Sequence, residues 1–224
     1  MKQIPLAIGL GPEPGFDNFV TGPNGVALHA LTQWRQPGPP VFLHGRAGTG
    51  KSHLLAAWAA RVRGQGGQVA WFHATTPLPW QFDEAWSLVI IDDAQDLDEA
   101  RQHAAFTLFV EAATHGTQMA AAARLPPVDL PLREDLRTRF GWGPVFELQP
   151  LDEAATRAVL RREADARGLM LSDEVMDYLL TRFERDLGSL KSLLHRLDRF
   201  SLAERRAVTV PLLKKMLTEG EVAA

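Results

Sequence analysis

The sequence predicts an α/β fold, in which a three-layer domain around a parallel five-stranded sheet is followed by a small all-α domain. Two observations lead to this prediction. Between Phe16 and Pro150, short apolar segments alternate with helical patterns, as expected when helices join parallel strands. From Leu151 onwards the pattern is helical only. We therefore expect a flexible leader at residues 1–15, an α/β domain at residues 16–150 and a helical lid domain at residues 151–224.

Composition limits the classes of function. The 224 residues are 46% hydrophobic and 23% charged, as in a globular protein, and the net charge of −3 provides no broad cationic surface for duplex DNA. The absence of cysteine excludes disulfides, thiolate zinc sites and cysteine nucleophiles. No apolar run has the length of a signal peptide or a membrane span, and a cytoplasmic protein is the simplest expectation.

The strongest motif is a glycine-rich loop that fits G-x-x-x-x-G-K-[ST]. It follows the apolar segment Val41–His44, a predicted strand, and precedes a helix with Leu54, Leu55 and Trp58 on one face. In that context glycines allow backbone N–H groups to surround phosphate oxygens at a helix N-terminus. We expect Lys51 to reach the β- and γ-phosphates and Ser52 to bind Mg²⁺. The predicted nucleotide-binding residues are Gly45, Arg46, Ala47, Gly48, Thr49, Gly50, Lys51, Ser52 and His53.

A second motif is acidic and ends the predicted buried strand Ser87–Asp93. Its carboxylates are Asp92 and Asp93, and a parallel sheet would place them beside the phosphate loop. We expect Asp92 to hold Mg²⁺ through water and Asp93 to polarise the attacking water. The remaining predicted strands are Gln68–Phe72, Met119–Ala123 and Val145–Leu148. A helix with Phe106, Phe109, Val110 and Ala113 on one face is predicted between the acidic motif and the strand Met119–Ala123.

Four helices are predicted in the lid. Asp152 and Ser172 are the N-caps of the first two helices, and the first helix stops before Gly168. The third helix carries a leucine series that begins at Leu190, and the fourth begins near Pro211.

The leader contains Gln3, Leu6 and Ile8 in a Q-x-x-L-x-[IL] pattern. An extended segment of this kind can insert alternate apolar side chains into a pocket on a partner protein, while the glutamine forms hydrogen bonds at the rim. Without further context, an unstructured start of the chain is the favoured explanation of the segment.

Several motifs resemble those of AAA+ ATPases of the DnaA type. These are F-D-N-F-V at 16–20, G-K-S-H-L-L at 50–55, I-D-D at 91–93 and L-R-T-R-F-G-W-G at 136–143. The sequence ends after the lid, near Ala224, without the helix-turn-helix domain that follows the lid in DnaA. With the leader motif, this makes the chain similar to the Hda family of DnaA-related regulators.

The resemblance to Hda implies a function and partners. The leader would bind the DNA polymerase III sliding clamp through Gln3, Leu6 and Ile8, and would reach DNA through the clamp. The body would hold ADP or ATP with Mg²⁺, most simply ADP. Arg139 matches the arginine-finger position, so that it would complete ATP hydrolysis in DnaA and prevent repeated initiation. A surface salt bridge is the alternative for Arg139, and Arg137 is its nearest competitor.

Two positions depart from the family pattern. The polar sensor expected after the fourth strand is replaced by alanines that end at Ala123, followed by Arg124, and the sensor arginine of the lid falls on Gly188. These departures predict nucleotide binding with weak or absent hydrolysis by this chain itself. Homo-oligomerisation is left open, and no membrane partner is expected.

Two other functions fit the same residues. One is a self-hydrolysing ATPase that loads a helicase onto single-stranded DNA, which the intact phosphate loop and Asp93 favour. The other is a tether that holds DnaA without stimulating hydrolysis, in which case Arg139 would be dispensable. Basic lid residues touch DNA or form a solvated surface, and the sequence leaves both options open.

Overall fold

The structure is a computed structural model that describes residues 13–183 and 187–222. The described chain is divided into two compact units, one formed by Pro14–Pro150 and the other containing the helices that follow Leu151. Among the described residues, no helix combines the length and apolar character needed to cross a membrane.

The first unit is built around a parallel five-stranded sheet, and this confirms the predicted fold class. Neighbouring strands pair in the order β2-β3-β4-β1-β5, and every pair is parallel. The carboxyl ends of the strands therefore meet at one edge of the sheet. The strands are β1 (Val41–His44), β2 (Gln68–Phe72), β3 (Trp86–Ile91), β4 (Gln118–Ala123) and β5 (Val145–Glu147).

Helices cover both faces of this sheet. Alternate side chains of one strand enter opposite layers, so that Leu43 lies in the core with α1 and α2 and Phe42 lies in the core with α3 and α4. The helices of this unit are α1 (Gly25–Thr32), α2 (Lys51–Gly64), α3 (Glu99–His115) and α4 (Glu134–Phe140).

Strand β4 is rich in alanine, a residue that prefers helices. Every residue of β4 is buried, and the strand lies between β3 and β1, where Ala120 is paired with both Val41 and Ile90. Alternate alanines face the two helical layers. Tertiary context thus decides the conformation, because a strand at the centre of the sheet gains pairing on both edges.

Helix α3 lies where the sequence predicts it, but the predicted apolar face is only partly correct, because Phe109 is buried whereas Val110 and Ala113 are exposed. Its buried residues are Ala105, Leu108, Phe109 and Ala112. Val110 is 40% exposed, Ala113 is exposed and Phe106 is half-buried. Alanines at positions 105 and 112 fill the buried face, and they gave no stronger apolar signal than the other alanines of the helix.

The second unit contains four helices: α5 (Glu153–Ala166), α6 (Asp173–Arg182), α7 (Leu187–Glu204) and α8 (Val210–Val222). Both predicted N-caps are present, since the Asp152 carboxylate accepts from the Ala155 N–H at 2.7 Å and the Ser172 hydroxyl accepts from the Val175 N–H at 3.3 Å. Pro211 lies in the first turn of α8. The apolar core of this unit includes Leu160, Val175, Leu179, Leu190, Leu194, Leu197 and Leu213.

A pair of truncations on α3 tests which face is buried. Leu108→Ala removes a side chain with no exposed surface, and we expect it to lower the free energy of unfolding by about 2–5 kcal/mol. Val110→Ala, two residues away on the exposed face, should change it by no more than about 0.5 kcal/mol. Urea unfolding of both variants provides the measurement. Equal losses would contradict the observed orientation of the helix.

Candidate nucleotide-binding site

The glycine-rich loop connects β1 to α2 through backbone conformations that favour glycine. The φ angles are +140° at Gly45, +72° at Gly48 and +98° at Gly50. A Cβ on Gly45 would lie 2.2 Å from the Leu148 carbonyl oxygen, and one on Gly50 would lie 2.6 Å from Cε2 of Phe19. The loop is therefore closely packed against its own domain on two sides, and glycine is required at both contacts.

Lys51 is the first residue of α2, and its side chain returns toward the loop. Lys51 is only 6% exposed, and its Nζ group donates hydrogen bonds to the carbonyl oxygens of Gly45 and Arg46, both at 2.8 Å. The Thr49 hydroxyl also donates to the Arg46 carbonyl, at 2.9 Å. These bonds fix the ammonium within the curve of the loop. Phosphate oxygens placed there would meet both the lysine and the positive end of the α2 dipole.

Asp92 follows β3 and lies beside the start of α2. It is 6% exposed, and its carboxylate accepts a hydrogen bond from the Asp93 N–H at 3.0 Å. Burial raises the pKa of the Asp92 carboxyl, while the nearby Ser52 hydroxyl and the Lys51 charge oppose that shift. The structure thus brings together Lys51, Ser52 and Asp92, which the sequence predicted as phosphate and Mg²⁺ ligands.

The donor set of Ser52 and Asp92 is suited to Mg²⁺ rather than to a metal enclosed by protein ligands. Among the residues that the structure describes, no group of three or more His, Cys, Asp or Glu side chains could hold a metal ion. Mg²⁺ usually takes one or two protein oxygens and completes its shell with water and phosphate oxygens. A hydroxyl and a carboxylate beside a phosphate loop fit that pattern.

Asp93 occupies an exposed position with a left-handed backbone, at φ = +50°. The Gln95 amide donates to the Asp93 carboxylate at 3.3 Å, and the Gln95 carbonyl oxygen accepts from the Arg124 N–H at 3.0 Å. Gln95 therefore connects the acidic turn to the end of β4. The sequence analysis did not identify this contact, because 29 residues separate Gln95 from Arg124.

The two predicted sensor positions carry no polar side chain. Ala123 is buried at the end of β4, and Gly188 lies in the first turn of α7. A methyl group and a hydrogen atom cannot form a hydrogen bond to a γ-phosphate. The structure therefore places at these positions residues that lack the chemistry needed to sense the third phosphate.

The His53 side chain is directed toward Gly15 and Phe19 rather than toward the predicted phosphate site. Its Nε2 lies 3.0 Å from the Gly15 carbonyl oxygen, and its ring is 5.5 Å from the Phe19 ring. Since a carbonyl oxygen only accepts hydrogen bonds, Nε2 carries a proton in this arrangement. The group of His53 that a phosphate at the start of α2 could use is its backbone N–H.

Arg139 lies in the last turn of α4 in an aromatic environment. Its guanidinium carbon is 4.0 Å from the centroid of the Trp142 ring and 5.5 Å from that of Phe106. Arg139 is half-buried. Within the described residues its guanidinium has neither a hydrogen-bond partner nor a carboxylate partner. This arrangement differs from the surface salt bridge that the sequence left as an alternative.

Arg137, the competitor of Arg139, is committed to its own domain. Its Nη1 donates to the Val128 carbonyl oxygen at 3.1 Å, and its Nε is buried. Two residues of separation turn the two arginines to different sides of α4. The local contacts therefore leave Arg139 better placed than Arg137 to bind an anion outside the domain.

One structural contact near the site was missed by the sequence analysis. Asn24 is 3% exposed, and its amide exchanges two hydrogen bonds with the Gln149 backbone, at 3.0 and 2.8 Å. These two hydrogen bonds attach the start of α1 to the segment that follows β5. No local pattern marks a pair of residues 125 positions apart. The predicted clamp-binding residues Gln3, Leu6 and Ile8 lie outside the described residues.

The parallel sheet order, the loop before α2, the acidic turn after β3 and the following helical unit define a P-loop protein of the AAA+ class. Two family models match the chain. Residues 152–217 match the lid domain of Hda, and residues 10–76 match the bacterial DnaA ATPase domain. The chain is thus similar to the bacterial DnaA ATPase domain in its first part and to the Hda lid domain in its last part.

Solved structures show the same fold. Domain III of the Thermotoga maritima replication initiation protein DnaA is 22% identical with a TM-score of 0.75, and the match covers 94% of this chain and 98% of that domain. AMPPCP-bound DnaA from Aquifex aeolicus is 24% identical with a TM-score of 0.65, covering 83% of this chain and 65% of that one. The Thermotoga maritima RuvB Holliday junction branch migration motor is 14% identical with a TM-score of 0.61, covering 85% and 64%.

The burial of Asp92 predicts a pH-dependent effect on stability. Because the folded-state pKa is raised, the ionised carboxylate opposes folding at neutral pH, and this cost is lost as the pH falls through the folded pKa. We expect Asp92→Asn to raise the free energy of unfolding at pH 7, with a gain that shrinks on acidification and vanishes below the ordinary aspartate pKa of 3.8.

Urea unfolding from pH 3 to 8, a range that includes the ordinary aspartate pKa of 3.8, measures this effect. Asp93→Asn is the matched control, because asparagine tolerates the left-handed backbone of this exposed position, and it should change stability by no more than about 0.5 kcal/mol. A pH-independent gain in Asp92→Asn would show that desolvation of the charge is not the cause.

Proposed function

We propose that this protein is a nucleotide-bound AAA+ adaptor that docks on the sliding clamp and stimulates ATP hydrolysis by DnaA. In this proposal Arg139 is an arginine finger that acts in trans. ATP hydrolysis leaves DnaA in its ADP form, and repeated initiation is prevented. The Hda-type lid and the DnaA-type nucleotide-binding segment support this function over that of an unrelated P-loop protein.

The observation that carries the proposal is the environment of Arg139. An arginine that served a structural role in this chain would be expected to bind a carboxylate or carbonyl group of its own domain. Instead, the guanidinium rests against two aromatic rings, 4.0 Å from the centroid of one and 5.5 Å from that of the other. Its N–H donors can then bind phosphate oxygens in a neighbouring protein and offset the charge of the transition state.

The nucleotide of this chain has a different role in the proposal. Lys51, Ser52 and Asp92 provide contacts for phosphates and Mg²⁺, and a bound Mg²⁺ ion would supply positive charge between the phosphates. The residues at the two predicted sensor positions, Ala123 and Gly188, have no side-chain group that could form a hydrogen bond to a γ-phosphate. We therefore propose that the protein holds ADP as a structural ligand and that hydrolysis by this chain is weak or absent.

The leader completes the proposal. Gln3, Leu6 and Ile8 bind the sliding clamp, and the clamp brings the protein to DNA. A net charge of −3 gives the chain no general affinity for duplex DNA, so that recruitment through a protein partner is the more economical route.

The first test concerns nucleotide binding. Lys51→Ala removes the ammonium held in the loop, and the loss of a charge-assisted contact should weaken ADP binding by about 10- to 100-fold. Arg63→Ala removes an exposed cation from the last turn of the same helix and should leave affinity unchanged. Calorimetry with ADP and ATP measures both. ATP bound much more tightly than ADP would contradict the proposed resting state.

The second test follows ATP prebound to DnaA in the presence of clamp-loaded DNA. Arg139→Ala should slow its conversion to ADP by at least about 10³-fold. Arg139→Lys should also fail, because an ammonium does not reproduce the planar fork of a guanidinium. Arg137→Ala should retain activity. Circular dichroism and clamp-binding assays check that each variant is folded and recruited.

The same assay separates the alternative functions. A variant with Gln3→Ala and Leu6→Ala should lose stimulation when DnaA and clamp-loaded DNA are dilute, since recruitment is lost. If the Arg139→Ala protein acts at the full rate while this leader variant is inactive, the protein is a tether and the finger assignment is wrong. Robust ATP turnover by the protein without DnaA would instead support the helicase-loader function.

A further inference from the structure

The position of Arg139 is set by the core on one side of α4. Leu136 and Phe140 have 0% and 1% exposed surface, and the Phe140 ring lies 5.1 Å from that of Phe42 and 5.3 Å from that of Phe109. These contacts prevent the helix from rotating about its axis. Arg139, next to Phe140, is therefore directed by a fixed backbone.

The turn after α4 brings Trp142 back over the helix end. The Gly141 N–H donates to the Arg137 carbonyl at 3.1 Å, and the Trp142 N–H donates to the Arg139 carbonyl at 3.3 Å. The tight i to i+3 bond places residue 142 one turn from Arg139. The local geometry, rather than a long-range contact, thus forms the pair.

The following residues attach this turn to β1. A Cβ on Gly143 would lie 1.9 Å from the Pro40 carbonyl oxygen, and the Phe42 N–H donates to the Pro144 carbonyl at 3.0 Å. Glycine is needed at 143 because the two backbones are in contact. The position of Trp142 is therefore fixed on both sides. The residues before it belong to α4, and the residues after it contact β1 and the residue that precedes β1.

Trp142 itself does not serve the core. The residue is 57% exposed and belongs to none of the core clusters in the described part of the chain. Its principal contact is the Arg139 guanidinium, 4.0 Å from the ring centroid. An indole in this position can attract a cation through the face of its ring.

An aromatic ring and a carboxylate differ in how many N–H donors of a bound guanidinium they leave available for another ligand. A carboxylate would occupy N–H groups of the guanidinium and would have to be displaced by a phosphate. The face of a ring attracts the cation without accepting its in-plane N–H groups. The adjacent carboxylate of Asp135 is already bound to Arg133 at 2.7 Å. The guanidinium is held in place and keeps its donors for a phosphate.

We propose that Trp142 is a positioning residue for Arg139, and that it holds the guanidinium extended and unpaired for insertion into the nucleotide site of a partner. This inference rests on the proposed function, because Trp142 is proposed to position the residue that acts there as an arginine finger. Phe106, at 5.5 Å, is a second and weaker support. The contribution of Trp142 is made to the rate of the assisted hydrolysis and not to the binding of the partner.

The test compares Trp142→Leu, which removes the aromatic face, with Trp142→Phe, which keeps one. In the assay of ATP bound to DnaA, Trp142→Leu should lower the maximal rate by about 3- to 30-fold, the range expected for loss of one cation–π contact. The concentration of this protein that gives half the maximal rate should not change. Trp142→Phe should restore most of the lost rate. Met170→Ala, which truncates an 89% exposed apolar side chain on the lid, is the control and should match the parent.

A second measurement needs neither DnaA nor the clamp. In NMR spectra of the protein alone, the Nε–Hε resonance of Arg139, assigned by its loss in Arg139→Lys, should carry a ring-current shift that Trp142→Leu removes. A resonance that does not move in Trp142→Leu would overturn the proposed contact.

The outcomes separate this inference from the function on which it rests. Full activity of Arg139→Ala would remove the finger itself, whatever Trp142 does. Inactivity of Arg139→Ala with a normal maximal rate in Trp142→Leu would overturn the positioning role alone. A raised half-saturating concentration in both Trp142 variants, with an unchanged maximal rate, would overturn it as well, because the indole would then be a docking contact.

Discussion

The interaction of the Ser52 hydroxyl with the Asp92 carboxylate links the two parts of the candidate nucleotide site. Ser52 belongs to the helix after β1, and Asp92 follows β3. The two strands are separated by one strand only, β4, and all three run parallel. The two residues can meet because β4 pairs in parallel with both β1 and β3, so that the carboxyl ends of these strands lie at the same edge of the sheet.

This arrangement has a thermodynamic cost that is consistent with a binding site. Asp92 is buried, and burial raises the pKa of its carboxyl. Gly45 and Gly50 hold the loop in backbone conformations where a side chain would collide with Leu148 or Phe19. Sites that bind charged ligands are commonly built in this way, because the ligand supplies the compensating interactions.

The environment of Arg139 differs from that of the residues in the candidate nucleotide site. Lys51 and Asp92 are buried and in contact with their own domain, whereas Arg139 is held by aromatic faces on α4 and the turn after it. The first set is suited to retaining a nucleotide within this chain. The second is suited to acting on one that belongs to another chain. The proposed roles, in which this chain binds a nucleotide and the partner hydrolyses its own, agree with this difference in environment.

The sequence by itself determined the fold class, the phosphate loop, the lid N-caps and the strands other than β4, because these depend on local patterns. G-x-x-x-x-G-K-[ST] between a strand and a helix is a local signal, as is a serine or aspartate at the start of an apolar helical period. The sequence also indicated Asp92, by its place after a strand, and the resemblance to DnaA-type ATPases indicated Arg139.

Only the tertiary structure decided what depends on contacts between distant segments. It showed that the buried face of α3 contains Ala105 and Ala112, that Asn24 binds the Gln149 backbone, and that Gln95 reaches Arg124. It also showed that Arg139 rests on aromatic rings rather than on a carboxylate. Local patterns fix which residues form an element, but the partner of a side chain depends on which elements the fold places beside it.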